Sequence, residues 1–298
     1  LQSPSGHGAV FDDTDDAPPP SPFSAELETG LIFDNNVFQE KDSERGDRIW
    51  TSYLQLAYEK GAVFLSALAI IDRYHDNEVL NTEFYEIGIE APLGAATSGS
   101  LFLNLSPTAP LDKTDLGPPF ELDSRGLNFL LDHEMPLGRI GFSFAFTQLN
   151  YSATFEAKDS AITALGPTFF YFLSENWTVS GDAAFERGRA AGGFIGDRRD
   201  DISYRSTLLS IQTRYHFMAE FNLSIRYHFQ KKHFTTKAND PLHTGRRDDH
   251  RLLRLTAEQR PTPNTTLRAG FEASRLNSTD PSVNFEARRW IFSAAYAF

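Results

Sequence analysis

The chain has 298 residues, no cysteine and a formal net charge of -12. Without cysteine there is neither a disulfide framework nor a thiolate metal site, and an acidic balance excludes a general nucleic-acid-binding surface, which needs a basic footprint. No window of about 18 uncharged apolar residues occurs, so no transmembrane helix is predicted; the most apolar run, 61–71, stops at Asp72 and Arg73.

Residues 1–22 differ from the rest. Asp12, Asp13, Asp15 and Asp16 precede Pro18, Pro19, Pro20 and Pro22, and prolines at that density cannot join a strand ladder. The segment reads as an extended leader ahead of a single unit over 23–298, either a linker or a tail that folds into an interior. Its first residues lack a basic n-region and an apolar core, so it is not read as a signal peptide.

From residue 25 onward strand-like runs alternate with turn chemistry. About fourteen are predicted: 25–35, 49–59, 62–74, 80–91, 98–105, 125–135, 139–153, 161–173, 177–187, 202–216, 220–234, 250–259, 265–275 and 283–298. The connections between them alternate between short and long. Short turns on one side and long loops on the other are the pattern of an up-and-down antiparallel barrel. An even strand number places both termini on the short-turn side. No fixed-period repeat suggests a propeller, and no sustained helical periodicity appears.

The strand faces agree. Ile140, Phe142, Phe144 and Phe146 share one face of their run, while Gly141, Ser143, Ala145 and Thr147 share the other. Phe221, Leu223, Ile225, Tyr227 and Phe229 alternate with Asn222, Ser224, Arg226, His228 and Gln230. A period of two with one apolar face predicts a strand between two unlike environments. Aromatic residues are predicted to form two belts. Tyr58, Phe172, Tyr215, Phe217 and Phe298 fall near the turn side; Phe33, Tyr74, Tyr151, Phe185, Phe234 and Phe285 fall near the loop side.

The last strand is the clearest. Trp290, Phe292, Ala294, Tyr296 and Phe298 recur at every second position, with no polar tail after them. This ending resembles the C-terminal β-signal of Gram-negative outer-membrane β-barrels, whose last residue is very often Phe. The resemblance spans about 25–298 as a pattern. It implies an all-β transmembrane barrel of about fourteen strands in the bacterial outer membrane. It also implies periplasmic termini, long extracellular loops, contact with outer-membrane lipid and lipopolysaccharide, and a C-terminus read by the barrel-insertion machinery through Trp290, Phe292, Tyr296 and Phe298. A shorter stretch, Thr29-Gly30-Leu31-Ile32-Phe33-Asp34-Asn35-Asn36-Val37-Phe38, is similar to the first strand of barrels that follow periplasmic repeat domains, such as polysaccharide-export and surface-lipoprotein-assembly barrels.

Parity assigns an inward face with an uneven charge. Its early wall carries Glu59, Asp72, Glu86, Glu90, Asp132, Glu134 and Asp182, with Glu26, Glu28, Asp34 and Glu186 on the same face. Its late wall carries Arg214, Arg226, His228, Arg254 and Arg268, interrupted by Glu258 and Glu272. Opposite walls of opposite sign would set a field across a pore; alternatively these charges pair with neighbours and satisfy a polar interior.

Enzyme chemistry finds little support. His75-Asp76 and Asp248-Asp249-His250 can be written as acid–base dyads, but they read as solvated loop charge. Neither a Gly-x-Ser-x-Gly elbow, a Walker A loop nor a zinc-binding spacing occurs, so neither catalysis, a metal nor a cofactor is expected. The first functional reading is a channel for small hydrophilic solutes with a charge-segregated lumen. The second is a structural, assembly or export barrel that encloses a polymer, a surface protein or an electron-transfer subunit, with a protein partner in the lumen or on the periplasmic side.

Overall fold

A computed structural model describes residues 21–39, 41, 44–108, 122–151, 153–195, 198–199, 201–218, 220–236 and 240–298. The predicted leader falls mostly outside the described residues. Of its last two, Pro22 accepts a hydrogen bond from the Glu59 amide at 2.8 Å.

The strands are β1 (Phe23–Asp34), β2 (Asp47–Lys60), β3 (Val63–Tyr74), β4 (Thr82–Gly94), β5 (Thr97–Thr108), β6 (Leu122–Met135), β7 (Gly138–Tyr151), β8 (Ser160–Ser174), β9 (Trp177–Ala190), β10 (Phe194–Ile195), β11 (Arg198–Arg199), β12 (Tyr204–Met218), β13 (Phe221–Phe234), β14 (Arg247–Thr262), β15 (Thr265–Ser278) and β16 (Phe285–Ala297). Fourteen of them form one closed antiparallel barrel, in which β1 pairs with both β2 and β16; β10 and β11 form a small separate ribbon in the β9–β12 connection. Closure leaves the barrel without edge strands.

Six connections on one side are two residues long, at 61–62, 95–96, 136–137, 175–176, 219–220 and 263–264. In the first, Gly61 has a φ of +62°, the first-position glycine that two-residue II′ hairpin loops use. Several strands run further than the sequence predicts. The segment 92–97, read as a turn, is mostly strand, with a register shift at Pro92/Gly94; another lies at Gln259/Thr262, around Pro261. Bulges are where a ladder tolerates a residue without an N–H.

Two other strand starts differ. Leu80 does not begin β4; it lies in the 3-10 turn Glu78–Leu80 and is buried with Val37 and Ile49. β14 begins at Arg247, because Arg247, Asp248 and Asp249 alternate between the two faces as strand residues do.

Register fixes which side chains point outward. Leu27, Leu31, Leu54, Leu65, Ile87, Leu103, Phe142, Leu165, Ile211, Ile225, Leu255 and Phe292 all stand exposed on the outer wall. This is an apolar belt that nothing covers among the described residues. The inward face is mixed: small and polar residues alternate with apolar ones, among them Phe64, Leu68, Phe84 and Phe102 on β3–β5. Gly141 is one case that needs to be glycine: a methyl group there would lie 2.6 Å from the backbone carbonyl oxygen of Leu131 and would also meet the Asp132 carboxylate.

The buried apolar core sits at the loop end. Val37, Ile49 and Leu80 form one cluster, Leu276, Val283, Phe285 and Ala287 a second, and Ile202, Tyr204 and Phe234 a third. This corrects part of the predicted loop-side aromatic belt. Tyr74, Tyr151, Phe234 and Phe285 pack into or against these inner clusters, whereas Phe33 and Phe185 stand exposed. Parity decides between the two faces, and proximity to a loop does not.

Candidate functional site

The inner wall is the candidate site. Cross-strand pairing aligns Gln212, Arg226, Arg254, Glu272, Arg289 and Asp34 as one row running across β12, β13, β14, β15, β16 and β1. Arg226 and Arg254 stand opposite each other, an arrangement that is unfavourable unless compensated. Arg254 donates from Nε to Glu272 at 2.8 Å. Glu272, only 2 % exposed, also accepts from Arg289 at 3.3 Å. Arg289 donates from Nε to Asp34 at 2.7 Å, across the seam where the first and last strands meet. Arg226 instead donates from Nε to Gln212 at 2.9 Å.

A second network lies nearer the turns. Arg268 contacts Glu28, reaches Glu258 at 3.1 Å and lies 3.9 Å from Glu26. Arg260 stands 3.4 Å from Glu258, and Asn222 donates to Glu258 at 3.3 Å. Arg254 and Arg268 are thus neutralised by acids of their own sector. Arg214 and Arg226 are not: among the described residues no carboxylate lies within 4 Å of either.

On the other wall the pattern reverses. Register places Asp72, Glu86, Glu90, Asp132 and Asp182 on the inward set of β3, β4, β6 and β9, with Glu59 and Glu134 on the same parity at the turn-side ends. Asp132 has Arg139 at 3.9 Å. Among the described residues, Glu59, Asp72, Glu86, Glu90, Glu134 and Asp182 have no ion-pair partner. His228 faces inward beside Arg226 on β13, with the His250 ring centroid at 6.5 Å. The C-terminal residues Trp290, Phe292, Tyr296 and Phe298 are all exposed on the outer wall or its rim.

The loop-end polar groups escaped the sequence reading. His243 is 1 % exposed, and its Nδ1 lies 2.9 Å from Asp240. Arg246 holds Asp248 at 2.8 Å and stacks on Phe234 at 4.6 Å. The Asp248 charge predicted to be solvated is therefore buried, as the inward member of its strand. The Asp34-Asn35-Asn36 exit of β1 also acquires a role. Asn35 accepts from the Arg288 amide at 2.6 Å, and Asn36 donates to the Glu286 carbonyl at 3.0 Å. Both bonds cross the seam to β16. Only the composition signal of Asp-Asn at a strand exit was legible.

Asp47, His75 and Asp76 bring three metal-ligating groups within 4.8 Å of one another. The site is poorly disposed to a cation. Asp47 already accepts from the Asp76 and Asn77 amides and from the Asn77 side chain, and the Arg48 guanidinium lies 3.2 Å from the His75 ring nitrogens. These groups hold the β3–β4 turn against β2.

The Asp240 loop carries a pH prediction. Burial pushes its carboxyl up, but bonds from the Asp201 amide, the His243 ring and the Leu242 amide outweigh this and hold it below the usual carboxylate range. An acid depressed in the folded state stabilises the loop above the unfolded value, and the contribution is lost as pH falls towards the folded value. Amide protection over 240–246 is expected to be level from neutral pH to about pH 5 and to fall below about pH 4. Protection unchanged down to about pH 2 would contradict this.

The chain matches no protein-family model and no curated protein sequence. Solved structures do match its fold. A bacterial polysaccharide outer membrane secretin aligns with a TM-score of 0.59 at 9% identity, over 92% of this chain and 98% of that one. The outer membrane channel DcaP of Acinetobacter baumannii aligns at 0.56 and 10% identity, over 93% and 96%. A deletion mutant of the monoaromatic hydrocarbon channel TodX aligns at 0.53 and 10% identity, over 94% and 91%. The fold is that of outer-membrane channels.

Proposed function

We propose that this chain is a bacterial outer-membrane channel that passes small hydrophilic solutes. The observation that carries the reading is the pairing of an apolar outer belt with an inner wall that bears charged side chains on one closed barrel. In water the belt would be uncovered; in a bilayer, lipid covers it. Barrel strands of 12 to 16 residues suffice to cross about 30 Å of hydrocarbon when tilted. The termini lie with the two-residue turns on the periplasmic side, and the long connections lie outside.

The lumen supplies a wet path and a field, and we assign it no reaction. Its unneutralised charge is uneven: acids line β2–β9, and Arg214 and Arg226 stand across from them on β12 and β13. A solute crossing between the two walls is oriented by that field. The test is ion preference in planar bilayers for the Arg214→Glu/Arg226→Glu variant. Each reversal changes the local charge by two, so preference should move towards cations by roughly two- to five-fold at low salt. Arg254→Glu is excluded from the test because it would break an ion pair as well. Unchanged selectivity would remove Arg214 and Arg226 from the conducting path.

A second reading is an export barrel that encloses a polymer. The alignment with the polysaccharide secretin, which covers 98% of that chain, favours it. Such a sleeve would be closed to ions while its occupant is in place.

A further inference from the structure

Pairing register brings together three arginines and a histidine in one row on the outside of the barrel. Arg187 of β9 is opposite Arg205 of β12, Arg205 is opposite His233 of β13, and His233 is opposite Arg247 of β14. All four are exposed and share the outward face at the loop end. With strands about 4.8 Å apart, the row spans roughly 14 Å. Like charges directly opposite one another on neighbouring strands oppose folding. The Arg247 amide donates to the Thr279 hydroxyl at 3.0 Å, but among the described residues the side chains of these four form no ion pair or hydrogen bond.

Of the other outward arginines at the loop end some are neutralised, whereas Arg48, Arg189 and Arg288 have no acidic partner among the described residues. Arg73 meets Glu83, Arg125 lies 3.6 Å from Asp123, and Arg275 lies 3.4 Å from Glu286. What sets the row apart is its register, with four such residues directly opposite one another on adjacent strands. What lies beneath it decides the occupant. Two to six residues closer to the turns, the same strands present Phe185, Leu209, Phe229 and Leu253 on the outer wall, the upper edge of the apolar belt. A soluble acidic protein would have to dock against that edge. An amphiphile with a phosphorylated head and acyl chains satisfies both levels at once, since guanidinium groups bind phosphate bidentately.

We propose that the outer face of β9, β12, β13 and β14 is a docking site for an outer-leaflet lipid with a phosphorylated saccharide headgroup, held by Arg187, Arg205 and Arg247 with His233 between them. The proposal rests on the orientation adopted above, with the long connections outside the cell.

The test titrates the detergent-purified full chain with lipid A and with its dephosphorylated form, reading bound lipid by native mass spectrometry. The Arg187→Ser/Arg205→Ser/Arg247→Ser variant should bind lipid A about 10- to 100-fold more weakly than the unaltered chain. The effect should shrink as salt rises. Arg205→Gln alone should lose less, and Arg73→Ser/Arg125→Ser should lose nothing. The dephosphorylated lipid should bind the unaltered chain and the triple variant alike. Equal binding of lipid A to both would overturn the proposal. So would inorganic phosphate or an acidic peptide competing as well as the lipid.

Orientation is measured separately. The chain has no cysteine, so Leu242→Cys, in an exposed part of the β13–β14 loop, reports the side on which the loops lie. A membrane-impermeant maleimide should label it on intact cells. Failure to label only there, with labelling after the outer membrane is opened, would overturn the orientation and the outer-leaflet occupant together. Labelled cells combined with phosphate-independent binding would overturn the lipid site alone.

Discussion

Glu272→Ala is expected to destabilise the barrel by about 3 kcal/mol, because it leaves two guanidiniums without their shared carboxylate in a buried position. Glu272 is 2 % exposed and bridges Arg254 and Arg289. Arg289 keeps Asp34, but Arg254 then faces Arg226 on the next strand with nothing between them. The strain falls beside the β1–β16 seam. The temperature at which the folded band converts to the unfolded one on electrophoresis should drop, and the urea midpoint should drop with it. The control is Glu286→Ala. Glu286 forms an exposed outward pair with Arg275, and such pairs contribute about 0–1 kcal/mol. Equal losses for the two variants would mean that the inner row does not stabilise the closed barrel.

Phe298→Asp separates assembly from stability. Phe298 is 72 % exposed at the turn-side rim; its amide donates to the Ala25 carbonyl at 2.8 Å, and its ring packs on Tyr296. The backbone bond survives the substitution, and a charge near the interface costs about 1 kcal/mol or less. Refolding into detergent from urea should therefore be almost unchanged. If the terminal aromatic is recognised by the insertion machinery, membrane-located protein in cells should fall to a small fraction of normal. Loss of both refolding and cellular yield would make the residue structural, and loss of neither would leave the recognition role without support.

The strand count was legible because it rests on local signals. Period-two alternation and tight two-residue turns are written within a dozen residues of each other. The 14-strand barrel and the inward set follow from them. Strand ends were less legible: charge at 247–249 and proline at 92 and 261 read as loop, although the strands continue through all three, with a register shift at each proline.

Pairing was not legible at all. Asp34 and Arg289 are 255 residues apart in sequence, and only closure of β1 on β16 makes them partners. The same holds for Arg268, which draws on Glu28 of β1 and Glu258 of β14. Sequence therefore assigns charges to a face and leaves open which of them are spent on one another. The buried His243–Asp240 contact is similar. Its residues look like a polar loop until Phe234, Arg246 and Asp248 are brought around them.

The central claim is that the barrel conducts. The direct measurement is single-channel conductance of the detergent-purified chain in a planar bilayer, made with and without residues 1–22. The expected result is steady, ohmic conductance from both forms, with an ion preference that follows Arg214 and Arg226. Conductance only after removal of 1–22 would make that segment a plug within a channel. Silence from both forms, in preparations that still show the heat-dependent shift of a folded barrel, would contradict the channel and favour the enclosing sleeve.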